Sequence, residues 1–383
     1  MSPTRFSAAV IAALCLLPWM PSVRAAMPTV DTTARDAYVI DANTGAVLLD
    51  KNGEDRIPPA SMSKMMTEYI VFSYLKQGRA TLKDMLPVSE NAWRTQGSKM
   101  FVPLGGKVAI DDLLQGMIVQ SGNDACIVLA EGLAGSTDAF VKLMNEKAKE
   151  LGMTGSHFAN VDGLPDPDEY MTAHDLAILA HHLISDFPEY YHYDAEKEFT
   201  FNGIKQGNRN PLLYTDSTAD GLKTGHTEEA GYCLVASALR NGRRVIEVLA
   251  GMDTMQARAN QGRQVIDWAF REFDDYAIAK AGTVIDRAPV WMGQDAEVPV
   301  SVARDVVVTL PRGDRSGLKV TAVYDRPTPA PVAAGQTVGK LDVAVPDAAP
   351  IEVPLVATQP VRPLNAVGRM AFTAGYLLFG RRN

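Results

Sequence analysis

The sequence predicts two layered units in series. The first is an α+β (α/β layered) domain whose antiparallel sheet is covered by helices, and the second is a smaller all-β sandwich. Three observations carry this. Strand-like segments at 36–50 and 231–251 flank a helical middle, which places the helices over a sheet built from the two ends of that stretch. After about residue 275 the helical period disappears, and short apolar runs alternate with Pro and Gly. A chain of 383 residues is also long for a single core.

The elements follow in order. AYVIDA and AVLLD read as a hairpin about the turn Asn43-Thr44-Gly45. Pro58-Pro59-Ala60 precedes SMSKMMTEYIVFSYLKQG, a helix stopped by Gly78. Asp111 opens a helical region, DDLLQGMIVQSGNDACIVLAEGL. Ser136 caps TDAFVKLMNEKAKELG, with Gly152 as its C-cap, and Thr172 caps AHDLAILAHHLIS. GYCLVASAL and RVIEVLAG meet at Asn241-Gly242, a strong hairpin signal. A helix from about Met255 to Phe273 closes the first domain. In the second, VPVSVARDVVVTL, LKVTAVYD, TVGKLDVAV and IEVPLV are strands, and Pro327-Thr328-Pro329-Ala330-Pro331 reads as a turn between them. The boundaries expected are 1–25, 26–274, 275–361 and 362–383.

Composition narrows the function. Charged residues make up 21% and apolar residues 46%, so the chain is globular. With 45 acids against 37 Lys and Arg, it lacks the basic excess that a nucleic-acid partner requires. Three Cys exclude a disulfide scaffold or a Cys-rich zinc module. Cys126 and Cys233 could bridge in an oxidising compartment, but both sit in apolar runs and read rather as small buried thiols. His157, His174, His181, His182 and His192 show no metal-ligand spacing, so no metal and no cofactor is expected.

The two ends are distinct from the body. Arg5, the apolar run Ala8 to Leu17, Pro18, Pro21 and Val23-Arg24-Ala25 have the layout of an export signal cleaved near Ala25. Its removal brings the net charge from -8 to -10. The last acid is Glu352, and beyond it stand Arg362, Arg369, Arg381 and Arg382. The segment LNAVGRMAFTAGYLLFG places Leu364, Val367, Ala371 and Leu378 at helical spacing beside Phe372, Tyr376 and Phe379. An apolar, aromatic helix flanked by cations predicts a membrane-interface helix over 364–383.

Three short motifs carry chemistry. Ser61-Met62-Ser63-Lys64 opens the first helix. Ser and Lys at i and i+3 share a face, so an amine can reach a hydroxyl that needs a base. The quartets ending at Lys76 and Lys319, which begin at Ser73 and Ser316, match the same pattern without opening a helix. Ser121-Gly122-Asn123 puts a hydroxyl and an amide into an apolar helical run, and Ser89-Glu90-Asn91 has the same form. Lys223-Thr224-Gly225-His226 precedes the Gly231 strand and offers a cation, a hydroxyl and an open strand edge, or an ordinary basic turn.

In the order Ser-x-x-Lys, Ser-x-Asn, Lys-Thr-Gly, these motifs resemble the penicillin-recognising serine enzymes. PASMSKMMT, SGNDAC, KEFTFNGIKQGNRN and DGLKTGHTEEAGY resemble, more narrowly, the D-alanyl-D-alanine carboxypeptidases. That resemblance implies a transpeptidase/β-lactamase-like catalytic domain. It implies Ser61 as acylated nucleophile, Lys64 as its base and Ser121 as proton relay. Asn123, Lys223, Thr224, Gly225, His226, Arg209 and Arg258 would bind substrate, with the N–H groups of Ser61 and His226 as oxyanion hole. The substrate implied is the peptidoglycan stem pentapeptide, with β-lactams as inhibitors. The place implied is the periplasm, at the inner-membrane surface. A β-lactamase, an endopeptidase and a non-catalytic wall-binding protein share the scaffold. The second domain and the absence of a Glu-x-x-x-Asn loop among Asp162, Asp166, Asp168 and Glu169 speak against the first, and the intact motifs against the last.

Overall fold

The computed structural model describes residues 28–313, 317–324, 326–344 and 350–379. The export signal, Ser316, Arg381 and Arg382 lie outside the described residues.

The predicted first hairpin forms from β1 (Asp36–Asp41) and β2 (Val47–Lys51). Asp41 Oδ1 accepts from the Asn43 and Thr44 N–H groups, and Gly45 takes φ 76°, which closes the turn. A 3-10 turn, Ala60–Ser63, leads into α1 (Lys64–Lys76). Residues from Lys64 to Leu75 are buried on every side of α1 save at Ser73, so it runs through the core and is not amphipathic.

The helical region expected over 111–133 is two helices, α2 (Ile110–Val119) and α3 (Asn123–Ala134). Between them Ser121 adopts φ 64°, a left-handed conformation that an uninterrupted helix cannot contain. Asp124, in the first turn of α3, accepts from the N–H groups of Met100, Phe101 and Val102 and pins the preceding loop. The helices α4 (Thr137–Glu150) and α5 (Ala173–Asp186) are capped as expected by Ser136 and Thr172.

Three strands complete the main sheet: β3 (Ala219–Thr227), β4 (Gly231–Arg240) and β5 (Arg243–Met252). Asn241 and Gly242, at φ 53° and 83°, form the predicted two-residue hairpin loop. The strand order is β2-β1-β5-β4-β3, all antiparallel. Lys223–His226 is therefore no connecting turn ahead of a strand. It lies within β3, which is the sheet edge. One sheet face packs on the core that contains α1 to α5. The other is covered by α6 (Met255–Glu272) through Val265, Ile266 and Trp268.

Beyond α6 the chain is β-rich, as expected. Phe273–Ala279 pairs with Val306–Pro311. A six-stranded sheet runs in the order Lys319–Val323, Thr337–Ala344, Ile351–Ala357, Glu297–Val302, Asp286–Trp291, Thr328–Pro329. Val298, Val300, Val308, Leu341 and Leu355 fill the space between. The Pro-rich segment is thus more than a turn, because Thr328 and Pro329 pair in parallel with Val290 and Trp291. The last helix, α7 (Ala366–Phe379), touches this domain where Trp291 meets Phe372 and Tyr376 edge-on at 4.8 and 5.2 Å. Val367, Met370, Leu377 and Leu378 on it are 66–77% exposed. No helix among the described residues is long and apolar enough to cross a membrane.

Arg243 ties the two domains together. It donates to Asp41 at 2.6 Å and to the carbonyls of Ala269 and Phe273 at 3.1 and 2.8 Å, with Asp275 3.4 Å away. Asp41 is fully buried, so removing its cation strands a charge. Arg243→Met is expected to lower unfolding free energy by about 3–5 kcal/mol, measured by urea denaturation. A loss below about 1 kcal/mol would refute the tie.

Candidate active site

The site lies where the start of α1, the α2–α3 break and the β3 edge converge. Ser61 sits half-buried in the 3-10 turn. The Lys64 amine, 1% exposed, donates to Ser61 Oγ at 2.9 Å and to the Asp162 carbonyl. Burial pushes the Lys64 amine below its ordinary value, and Arg209 acts in the same direction. The loop that brings in Asp162 folds on itself. Asn160 Oδ1 accepts from the N–H groups of Asp162 and Gly163, and Thr67 donates to the Val161 carbonyl. Gly163 stands at φ 74°, and a Cβ there would fall 1.9 Å from the Ala60 carbonyl oxygen. Only glycine lets this loop lie against the Ser61 turn.

Lys223 projects from β3 and donates to Ser121 Oγ at 3.0 Å. Its amine lies well below the usual lysine range, first through burial and then through the charges of Lys64 and Arg209. Gly225 lets β3 approach the same turn, since a Cβ there would come within 2.9 Å of the Pro59 carbonyl oxygen. Asn123 is fixed by two bonds, Nδ2 to the Gln96 carbonyl and its N–H to the Ser98 carbonyl, both 2.7 Å. Arg209 donates to Ser98 Oγ at 2.7 Å. Arg258, 6% exposed, lies over the Tyr232 ring at 5.6 Å and reaches the Arg209 carbonyl at 3.5 Å. Thr224 is buried beside Lys223, whereas His226 is exposed and stacks 4.0 Å from Tyr232.

The motifs are thus linked by contact, Ser61 to Lys64 and Ser121 to Lys223, while Ser98 joins Asn123 to Arg209 and the Arg209 carbonyl meets Arg258. The look-alikes are elsewhere: Ser73 donates to the Tyr69 carbonyl inside α1, and Ser89 caps a short helix at Ala92. None of Lys64, Lys223, Arg209 and Arg258 forms an ion pair with a carboxylate among the described residues. Lys223, Arg209 and Arg258, none paired with a carboxylate, can offer positive charge to an anionic group near the Ser61–Lys64 contact.

Two family profiles match the chain. The family profile described as D-alanyl-D-alanine carboxypeptidase matches residues 22–254. The C-terminal domain of penicillin-binding protein 5 matches residues 273–362. The chain belongs to the D-alanyl-D-alanine carboxypeptidase family. It is 39% identical to D-alanyl-D-alanine carboxypeptidase DacC of Escherichia coli strain K12, over 91% of this chain and 90% of that one. It is 40% identical to DacA of Haemophilus influenzae, over 81% and 80%. The crystal structure of penicillin-binding protein 5 from Haemophilus influenzae superposes with a TM-score of 0.81 at 38% identity, covering 88% of this chain and all of that one. An ampicillin-bound penicillin-binding protein D2 from Listeria monocytogenes matches at TM-score 0.59 and 30% identity, over 63% of this chain and 99% of that one. The chain is a serine-type carboxypeptidase hydrolase, and its fold is the one that the resemblance implied.

Several buried groups at the site escaped the motif search. Glu68, one turn after Lys64 on α1, faces Asp194; burial, and then Asp194, raises Glu68 well above the carboxylate range. Asp194 is pushed up to about 7. Cys126 and Cys233 are unpaired buried thiols, as the sequence led one to expect, and burial pushes them up to about 12 and about 11. Glu169 accepts from the Ala159 and Asn160 N–H groups through Oε2, while burial pushes its carboxyl up to about 7 from 4.5. A folded value above the unfolded one means that ionising Glu169 destabilises the fold. The loss sets in as pH rises above about 4.5 and is complete above about 7. Relative to Glu169→Gln, which stays neutral, the wild type should lose up to about 3 kcal/mol between about pH 5 and pH 8 in urea titrations. A difference that does not vary with pH would refute the raised carboxyl.

Proposed function

We propose that the protein removes the terminal D-alanine from peptidoglycan stem pentapeptides through an acyl-enzyme on Ser61. The observation that carries this reading is the Lys64–Ser61 contact of 2.9 Å, near buried Lys223 and Arg258 and exposed Arg209, none of them paired with a carboxylate among the described residues. Burial favours the neutral amine, and in that form the same contact lets Lys64 take the Ser61 proton. Ser61 Oγ then adds to the carbonyl carbon of the penultimate D-alanine. The N–H groups of Ser61 and His226 face the oxyanion, a stabilisation worth several kcal/mol. Ser121 passes the proton to the departing nitrogen, aided by Lys223 3.0 Å away. The C–N bond breaks, D-alanine leaves, and water hydrolyses the ester. Asn123 holds the substrate amide. Lys223, Thr224, Arg209 and Arg258 hold the terminal carboxylate beside the open strand edge at Gly225. β-Lactams acylate Ser61 by the same route, as the ampicillin-bound relative supports.

The place of action is read as the periplasm. Residues 1–25 direct export, 26–274 form the catalytic domain, 275–361 the β sandwich, and 362–383 the attachment to the inner membrane. The exposed apolar side chains of α7 support that attachment.

Incubation with a synthetic pentapeptide should release D-alanine. A β-lactam adduct should map to Ser61 and vanish in Ser61→Ala. An adduct on Ser73 or Ser316, or full labelling of the Ser61→Ala protein, would overturn the assignment. A chain ending at Pro363 should stay soluble without detergent and still cleave peptide, because no motif lies beyond Arg258. The full chain should bind anionic vesicles and come off only in part at high salt, which screens charge and leaves apolar burial. Vesicle binding by the truncated chain would count against attachment through the tail.

A further inference from the structure

Two acids outside the three motifs are buried together in the first domain. Glu68 lies on α1 one turn beyond Lys64, on the same helix face, and is 1% exposed. Asp194 is fully buried in a 3-10 turn, Tyr191–Ala195. That turn packs on β3. A Cβ on Gly221 would come 3.1 Å from the Asp194 Cβ and 2.6 Å from the Tyr191 hydroxyl oxygen. Gly221 stands two residues before Lys223 in unbroken register, so the two positions share one face of the strand.

The carboxyl groups of Glu68 and Asp194 meet. A carboxylate accepts hydrogen bonds and donates none. Glu68 Oε1 and both Asp194 oxygens receive no donor from elsewhere among the described residues. Their contact is therefore a hydrogen bond only while one of them holds a proton.

The charges around the pair have separate engagements, with one exception. From β3, Asp220 accepts from the Tyr191 hydroxyl at 3.0 Å and, through both oxygens, from Arg244 of β5 at 2.8 Å. From α2, Asp111 accepts from the Tyr193 hydroxyl. Lys223 has no such partner acid, and its charge favours the ionised form of both Glu68 and Asp194. Burial, then Lys64 and Arg209, act on the Lys223 amine toward loss of its proton, and the Cys126 thiol and Glu68 act the other way.

We propose that Glu68 and Asp194 are positioning residues for the reaction: sharing one proton, they keep a single negative charge that holds the Lys223 amine protonated for the substrate's carboxylate. The inference rests on the carboxypeptidase reading and deepens it. Without the pair, Lys223 would have only like charges and a dry interior for company. With two ionised acids, it would be neutralised before substrate arrived. Asp194, pushed up to about 7, acquires its charge as pH rises into the range where a depressed lysine begins to lose its own.

The test follows kcat/KM for D-alanine release from a synthetic pentapeptide against pH, on the full chain. Its alkaline limb reports loss of the Lys223 proton. In Asp194→Asn the anion is gone and Lys223 deprotonates sooner, so the limb should move down by roughly one pH unit, about a tenfold loss above it. Glu68→Gln leaves Asp194 as the ionising member, so its limb should stay near that of the wild type. A merely structural role would lower the rate of both variants at every pH and move neither limb. Should Asp194→Asn fail to fold, Glu68→Leu combined with Asp194→Leu removes the same charge, since apolar replacement of a buried ionisable pair is often neutral or stabilising. Its limb should fall by the same amount. A limb unmoved in the protein lacking Asp194, or moved equally by Glu68→Gln, would overturn the proposal. Failure of the wild type to release D-alanine at any pH would instead overturn the carboxypeptidase reading, and this inference with it.

Discussion

The arrangement depends on keeping the Lys64 amine out of water and next to a hydroxyl. Taking an ammonium into a protein interior is costly, and a carboxylate partner would relieve the cost but hold the amine charged. This chain relieves it with groups that do not titrate. Lys64 is met by the Ser61 hydroxyl and the Asp162 carbonyl, and Lys223 by the Ser121 hydroxyl and the Thr224 carbonyl. Such partners satisfy the N–H groups without fixing the charge, so both amines stay below the normal lysine range. The rest of the site follows from the need to bring those hydroxyls and carbonyls to two buried amines.

Bringing them there is a matter of close approach. Two backbone segments press on the turn before Ser61 and a third on Asn123, and glycine marks each contact. Gly163 admits the loop that carries the Asp162 carbonyl, and Gly225 admits the sheet edge. Gly97 admits the segment that holds Asn123, where a Cβ would lie 2.8 Å from the amide nitrogen. Two residues with a Cβ also adopt positive φ at the cleft, Ala60 at 49° and Ser121 at 64°. Strain of this kind persists only where the surroundings over-determine it. Here the surroundings are the largely buried α1 on one side and the Asp124 clamp on the other.

Much of this was legible in the sequence, for reasons that differ by element. Hairpins and caps depend on a few residues and local sterics, so Asn241-Gly242, Ser136 and Thr172 read correctly. The run 111–133 reads only in part: Ser121-Gly122-Asn123 shows as a polar interruption of a helical region, but not as the end of one helix and the start of another. The break is made by Ser121 turning left-handed toward Lys223, a partner 102 residues away. The β3 strand was missed for a related reason. Thr, Gly and His within it look like a turn, and only pairing with β4 makes it a strand. The motif residues were readable because chemistry restricts their type. Glu169 and the Glu68–Asp194 pair were not, because an acid in an apolar run or a loop carries no mark of its burial.

That buried pair completes the electrostatics of the cleft. Two carboxyl groups in contact inside a protein cannot both ionise without large repulsion, so one holds its proton. Glu68 is raised far enough to be the neutral member, and Asp194, at about 7, is the member that titrates. Both feel the charge of Lys223, and both are buried away from solvent. At most one negative charge therefore stands behind Lys223, too little to neutralise the cations ahead of it. The cleft keeps a positive field toward an incoming carboxylate while the amine that makes the field remains in reach of deprotonation. A full carboxylate at hydrogen-bond distance from Lys223 would satisfy the first condition poorly and the second not at all. Placing the acids one layer back, and as a pair, meets both.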